Sequence, residues 1–271
     1  MIQDGVYAAS LMPLNPDLSC NHEALAAHCL SLIEKGCKGV VLFGATGEGA
    51  SFSTEEKKEA LGEVIARGVD PGKIILANGF SCLTDTVDLA LYSLESKCLA
   101  FLAAPPCFFK NITEEGILSF YREIFSRVSD PRFRIILYHI PQYTGVPLSV
   151  EIVTTLRKEF GDAVAGFKES EGNLPLAKAV LKTVPGCKVF VGHERQIPEA
   201  LRYGASGSIS GMANVCPEAV CKLLREEASP DLEKVLKQIG DRFFVTALKA
   251  LLAAEKDPSW IRVRPPLVPE R

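Results

Sequence analysis

The sequence predicts an α/β protein built as a (β/α)8 TIM barrel with a short C-terminal helical appendage. Three observations point there. The chain has 271 residues, close to the roughly 250 typical of such a barrel. Eight short apolar runs alternate with amphipathic stretches from one end to the other. Several runs are unbroken hydrophobic blocks, the pattern of parallel strands covered on both faces.

The elements follow in order. The run Gly5-Ser10 precedes a helical pattern, His22-Lys35, in which Leu25, Cys29, Leu32 and Ile33 share a face. Gly39-Phe43 is followed by Thr54-Arg67, which Ser53 opens with Glu56 three residues on, a capping box. Ile74-Ala77 leads to Leu83-Leu94, and Leu99-Ala104 to Glu114-Val128. Arg134-Tyr138 leads to Ser149-Phe160, and Ala163-Phe167 to Leu174-Thr183. Lys188-Val191 leads to Gln196-Tyr203, and Gly207-Ile209 to Pro217-Arg225. A doubly wound open sheet is the rival, but it usually has fewer strands and a Gly-rich first turn, absent here. No linker or low-complexity stretch divides the chain. Residues 1–227 are therefore read as the barrel and 228–271 as a tail of the same domain, with a helix over Asp231-Ala254 and a proline-punctuated end.

Composition narrows the function. Hydrophobic residues make up 47% and charged residues 23%, enough to bury a core without disulfides or metals. A net charge of −3 argues against a nucleic-acid binder, which lives on phosphate contacts. No apolar run approaches the roughly 20 residues of a membrane span, and Met1-Gly5 carries Asp4 with no basic stretch, so no signal peptide is expected. The nine cysteines, at 20, 29, 37, 82, 98, 107, 187, 216 and 221, are odd in number, scattered, and never spaced Cys-x-x-Cys. A reduced, cytoplasmic protein is the expectation. His22, His28, His139 and His193 form no metal motif, and no phosphate-binding or dinucleotide glycine motif occurs. No metal and no organic cofactor are expected.

In a barrel the site lies at the C-terminal ends of the strands. Lys38, Lys73 and Lys188 precede their strands and belong to the opposite end, whereas Lys168 closes the run Ala163-Phe167 and belongs at the mouth. A lysine walled by apolar residues suggests an amine nucleophile: desolvation lowers its pKa, and the neutral amine attacks a carbonyl to form a Schiff base. A lysine reaching solvent or paired with Glu169 is the plainer alternative. Gly44-Ala45-Thr46-Gly47-Glu48-Gly49 offers backbone N–H groups that can cradle an anion, with the Thr46 hydroxyl as a further donor. A tight structural turn explains the same residues, and Glu48 is assigned structural hydrogen bonds. Tyr138 leaves its strand just before His139-Ile140-Pro141 and can pass a proton over a substrate, unless it is a core tyrosine. His193 and Glu194 fit an acid–base pair or an ordinary loop. Barrel phosphate sites use the loops after the seventh and eighth strands; the acidic Glu194 there disfavours a phosphorylated substrate.

Together these features resemble the family of dihydrodipicolinate synthase and N-acetylneuraminate lyase, from about Gly5 to Pro266. The markers are Gly44-Ala45-Thr46-Gly47-Glu48, Pro105-Pro106, Leu137-Tyr138-His139-Ile140-Pro141 with Thr144-Gly145, Gly166-Phe167-Lys168-Glu169-Ser170, and Ala213-Asn214-Val215. The resemblance implies a class I lyase handling pyruvate or another 2-oxo acid, with Lys168 as Schiff-base lysine and Tyr138 as proton donor or acceptor. It implies that Thr46 and the N–H groups of Ala45 and Thr46 hold the carboxylate. The backbone of Ile209 would line the pocket, with Tyr143 and Gly192 among the substrate-binding residues, and the protein would be a homo-oligomer, a dimer or a tetramer.

The departures bear on substrate. The synthases place a second hydroxyl residue where this chain has Ala45, and a tyrosine lent by a neighbouring subunit where Phe108 aligns; Phe109, one residue on, lacks a hydroxyl too. They carry a carboxylate-gripping arginine where this chain has Tyr143, and an uncharged phenol does not replace a bidentate guanidinium. Arg195 is the nearest substitute by strand order. His139 stands for the usual asparagine, and the stretch Pro105-Asn111 looks more like the sugar-acid aldolases. The leading reading is an aldolase acting on pyruvate or a pyruvate-derived 2-oxo acid, with 2-keto-3-deoxy sugar acids among the candidates and an aldehyde as partner. The others are a dihydrodipicolinate synthase with altered relay residues and a barrel that binds a 2-oxo acid without turnover.

Overall fold

Eight parallel strands close into a barrel in strict chain order, each pairing with the next and the last with the first. The structure is a computed structural model that describes residues 1–79, 82–227 and 229–270. The strands are β1 (Gly5–Ala9), β2 (Gly39–Leu42), β3 (Ile74–Ala77), β4 (Ala100–Ala103), β5 (Ile135–His139), β6 (Val164–Glu169), β7 (Lys188–Val191) and β8 (Gly207–Ser210). The helices that follow them are α1 (His22–Glu34), α2 (Thr54–Ala66), α3 (Leu83–Glu95), α4 (Glu114–Val128), α5 (Pro141–Thr144), α6 (Val150–Phe160), α7 (Leu174–Thr183), α8 (Ile197–Arg202) and α9 (Pro217–Leu223). The predicted capping box is present: Ser53 N–H donates to Glu56 Oε2 at 2.8 Å, and Glu56 N–H to Ser53 Oγ at 3.2 Å.

Alternation along the strands makes two cores. Tyr7, Val41, Ile75, Leu102, Ile136, Tyr138, Phe190 and Ile209 point inward and fill the barrel. Their neighbours Val6, Val40, Ile74, Phe101, Leu137, Phe167 and Val189 point outward into a larger core shared with the helices. This two-sided burial is why the strands read as continuous apolar runs. Tyr7 and Phe190 meet edge to face inside the barrel, ring centres 5.5 Å apart.

Two features differ from the sequence reading. The helix expected over Asp231-Ala254 is two helices, α10 (Pro230–Ile239) and α11 (Phe244–Glu255). Gly240 takes a positive φ of 56° and its N–H caps Leu236 O, which ends α10. The short α5 was not foreseen: Pro141 starts it and Gly145, at φ 65°, closes it. The expected division at 227/228 falls at Ala228, outside the described residues. The tail packs on the barrel, with Leu232, Val245, Leu248 and Leu252 in the outer core.

Candidate active site

Lys168 lies within β6 rather than after it, because the ladder continues past the apolar run: Lys168 pairs with Tyr138 on β5 and Phe190 on β7. Phe167 points to the helices, so the period of two turns Lys168 inward. Gly166, two residues earlier, lets β7 pack closely: a Cβ there would sit 2.8 Å from Lys188 O. The lysine is 4% exposed, with its Nζ 4.2 Å from the centre of the Tyr138 ring. Burial lowers its pKa to about 7, against the opposing pull of the Glu194 and Glu169 carboxylates. A large fraction is therefore the neutral amine at neutral pH. By contrast Lys188, at the other end of its strand, pairs with Asp4 at 2.6 Å.

Tyr138 is also buried, which pushes its phenol above the ordinary range; the Ser170 hydroxyl and the Ala45 backbone act beside it as hydrogen-bonding groups and pull the other way. A buried phenol that keeps its proton is a donor at neutral pH. Glu194 is buried as well, and desolvation raises its pKa. Its Oε1 accepts from Ser210 Oγ at 2.6 Å and from Met212 N–H at 3.3 Å.

One cavity of about 380 Å³ joins these groups. It is lined by all seven residues picked from the sequence: Lys168, Tyr138, Ala45, Thr46, Ile209, Tyr143 and Gly192. Sequence reasoning missed Ser170 and the contribution of the tail, whose Phe244 and Val245 form part of the wall. Ser170 was within the motif following Lys168, so strand alternation could have flagged it. His193 is exposed. Arg195 lines the cavity, but its guanidinium is held by Glu233 on α10 at 3.0 and 2.8 Å. Phe108 does not line it and is 85% exposed, in edge-to-face contact with Phe109. Glu48 has the structural role expected: its fully buried carboxylate pairs with Lys249 of α11.

Among the described residues, one group could hold a metal by position: His139, Glu169 and Glu171, with ligand atoms within 4.8 Å of one another. The hydrogen bonds oppose that use. His139 Nδ1 accepts the Leu148 N–H at 3.0 Å, so the neutral ring carries its proton on Nε2, facing Glu171 Oε2 at 3.2 Å. The Glu169 carboxylate accepts the N–H groups of Glu171 and Gly172.

A model of the dihydrodipicolinate synthetase family matches residues 3–269. The chain belongs to that family. It is therefore an enzyme of the class I lyase type. An uncharacterized DapA-like lyase of Chloroflexus aurantiacus is 31% identical over 98% of this chain and 91% of its own length. A 4-hydroxy-tetrahydrodipicolinate synthase of Methanopyrus kandleri is 28% identical, over 85% of this chain and 76% of its own. The crystal structure of a dihydrodipicolinate synthase from Agrobacterium tumefaciens superposes with a TM-score of 0.94 at 30% identity, covering 99% of this chain and 94% of that one. A 2-keto 3-deoxygluconate aldolase of Picrophilus torridus shares the fold, with a TM-score of 0.89 at 24% identity over 100% of this chain and 99% of that one. Family membership leaves the site's own chemistry to decide among substrates.

Proposed function

We propose that this family member is a pyruvate-dependent aldolase in which Lys168 forms the Schiff base. The observation that carries the reading is the buried lysine amine at the barrel mouth, beside the face of a buried tyrosine on the neighbouring strand. In the mechanism, the Ala45–Thr46 turn receives the carboxylate of the 2-oxo acid, and the neutral amine of Lys168 attacks C2. The oxygen takes one proton from the attacking nitrogen and a second from Tyr138, leaves as water, and the product is the iminium, with Tyr138 left as phenolate. The Tyr138 phenolate takes a proton from C3 to give an enamine, which adds to an aldehyde as Tyr138 returns the proton to the aldehyde oxygen. In the reverse direction, the cationic nitrogen draws in the electron pair of the breaking C–C bond. Glu194 provides negative charge on the same cavity wall while the nitrogen is positive.

The aldehyde partner is read as a neutral, hydroxylated one, as in a 2-keto-3-deoxy sugar acid. Tyr143 stands where a cation would grip a distal carboxylate, and Arg195 is already paired with Glu233. Relatives named as synthases favour a second reading, dihydrodipicolinate synthesis with altered helpers. We further propose a homo-oligomer, a tetramer built from dimers, because Phe108 and Phe109 expose a paired apolar surface that invites burial. Light scattering at micromolar concentration tests it, and a monomer there refutes it. No metal or organic cofactor is assigned, since the iminium nitrogen supplies the electron sink; activity lost to a chelator and restored by a metal would refute that. Among the described residues no helix is long and apolar enough to cross a membrane; a cytoplasmic place of action is proposed from the scattered, unpaired cysteines. The central test is borohydride reduction with pyruvate. The label should fall on the peptide containing Lys168; a label on another lysine, or none on active protein, overturns the assignment.

A further inference from the structure

We infer that Lys249, on the C-terminal tail, is a positioning residue for the carboxylate-binding turn, acting through Glu48. The inference rests on the proposed role of the Ala45–Thr46 turn. That turn is tightly wound between two non-glycine residues of positive φ, Phe43 at 61° and Glu48 at 52°. A Cβ on Gly49 would lie 1.8 Å from Phe43 O, so the chain doubles back against itself. Two backbone bonds close it, Glu48 N–H to Ala45 O and Gly49 N–H to Gly44 O, each 3.1 Å. Residues held at such angles need support from their surroundings.

The support comes from the tail. Glu48 and Lys249 have side chains of zero exposure and form an ion pair. Lys249 also donates to Arg262 O at 2.6 Å, while Glu48 Oε2 accepts the Arg264 N–H at 2.9 Å. Arg264 in turn donates to Ser51 O at 2.7 Å and to Glu56 Oε1 at 2.5 Å. Every oxygen of the Glu48 carboxylate is thus fixed by the C-terminal segment. The same helix meets the turn again. Val245, four residues before Lys249 and on the same helical face, lines the cavity. Phe244 wedges against Gly211, where a Cβ would be 2.4 Å from its ring and 3.2 Å from Thr46 Oγ1. One helix therefore contributes Phe244 and Val245 to the cavity that Thr46 lines and pins the turn that carries Thr46.

A buried charge left without its partner is strongly destabilising, whereas replacing both members of the pair is tolerated far better. The test accordingly uses Lys249→Met and the neutral double variant Glu48→Gln with Lys249→Met, on the full chain. Pyruvate trapping by borohydride is measured as a function of pyruvate concentration and pH. The expected result is a rise of about tenfold or more in half-saturating pyruvate, the size of a lost charged hydrogen bond. The trapping rate at saturation and its pH midpoint should stay close to those of the unaltered protein, because Lys168 is untouched. A purely structural role predicts a lower melting temperature with unchanged half-saturation. Amide hydrogen exchange gives a readout that needs no pyruvate: residues 44–47 should exchange faster in the double variant, with β5 and β6 unchanged. Unchanged half-saturation, or unchanged exchange at 44–47, in the folded double variant overturns the inference. Absence of trapping in the unaltered protein overturns the proposed function instead, and the exchange measurement still decides the role of Lys249.

Discussion

The amine of Lys168 stands 4.2 Å from the centre of the Tyr138 ring, and the two residues are ladder partners on β6 and β5. The proposed nucleophile and proton donor are thus carried by adjacent strands of the barrel, on neighbouring inward positions. Their separation follows from strand register rather than loop conformation, as a precise site requires.

The pH dependence of imine formation follows from burial. Lys168 is protonated below about 7 and neutral above it, and only the neutral amine attacks a carbonyl. The trapping rate at saturating pyruvate should climb as pH rises from 5.5 and level off above about 7. An ordinary exposed lysine would still be climbing at pH 9. Rates measured across pH 5.5–9 distinguish the two curves.

The same burial makes the lysine a burden on the fold. Its folded pKa, about 7, lies below the 10.5 of an unperturbed lysine. The unfolded chain therefore holds the proton more tightly, and stability rises with pH between about 7 and 10.5. Below about 7 the penalty is full, with an upper bound on the order of 5 kcal/mol. Lys168→Met should remove that penalty, raise the urea midpoint at pH 7, and abolish trapping. A midpoint below that of the unaltered protein would contradict the assigned burial cost.

What could be read from the chain reflects how local each signal was. The barrel was legible because a parallel strand buried on both faces leaves a continuous apolar run, and eight of them recur. Lys168 was legible as the lysine that closes such a run. The tail's share in the site was not, because Phe244 and Val245 come to line one cavity with Thr46 and Gly211 only after the barrel has closed. One signal did exist: Lys249 interrupts the apolar stretch Ala247-Leu248-Lys249-Ala250-Leu251-Leu252. A charge in such a stretch implies a buried partner. The break in the tail turned on Gly240, whose positive φ a periodicity reading does not register.

Tyr138→Phe and Glu194→Gln should separate two kinds of help. Phenylalanine keeps the ring over which the amine lies and removes the proton, so turnover should fall about 10²–10⁴-fold while the protein stays folded. Glutamine at 194 keeps a group that can accept from Ser210 but removes the negative charge that holds the Lys168 pKa up. The midpoint of the trapping curve should then move to lower pH. A midpoint moving upward would mean that Glu194 does not act on Lys168 through its charge.

Substrate preference is the sharpest test of the aldolase reading. Aspartate semialdehyde brings a distal carboxylate, and the cavity offers it the Tyr143 phenol and an Arg195 already engaged by Glu233. A missing charged hydrogen bond costs roughly 1.5–3 kcal/mol, about tenfold to a hundredfold in binding. Ala45 and Phe108 offer no hydroxyl for a proton relay, and loss of such help lowers turnover by a further factor of up to about 10²–10⁴. With pyruvate and aspartate semialdehyde, kcat/KM should fall below about 10⁴ M⁻¹s⁻¹, the lower edge of the usual enzyme range, and below that for a hydroxylated aldehyde without a carboxylate. Glu233→Gln supplies a directional check, since it frees Arg195 at the rim. It should improve the carboxylate-bearing aldehyde and leave the neutral one unchanged. A value at or above about 10⁴ M⁻¹s⁻¹ for aspartate semialdehyde with the unaltered protein would mean that Ala45, Phe108 and Tyr143 are compensated, and synthesis rather than sugar-acid cleavage would be the activity of this site.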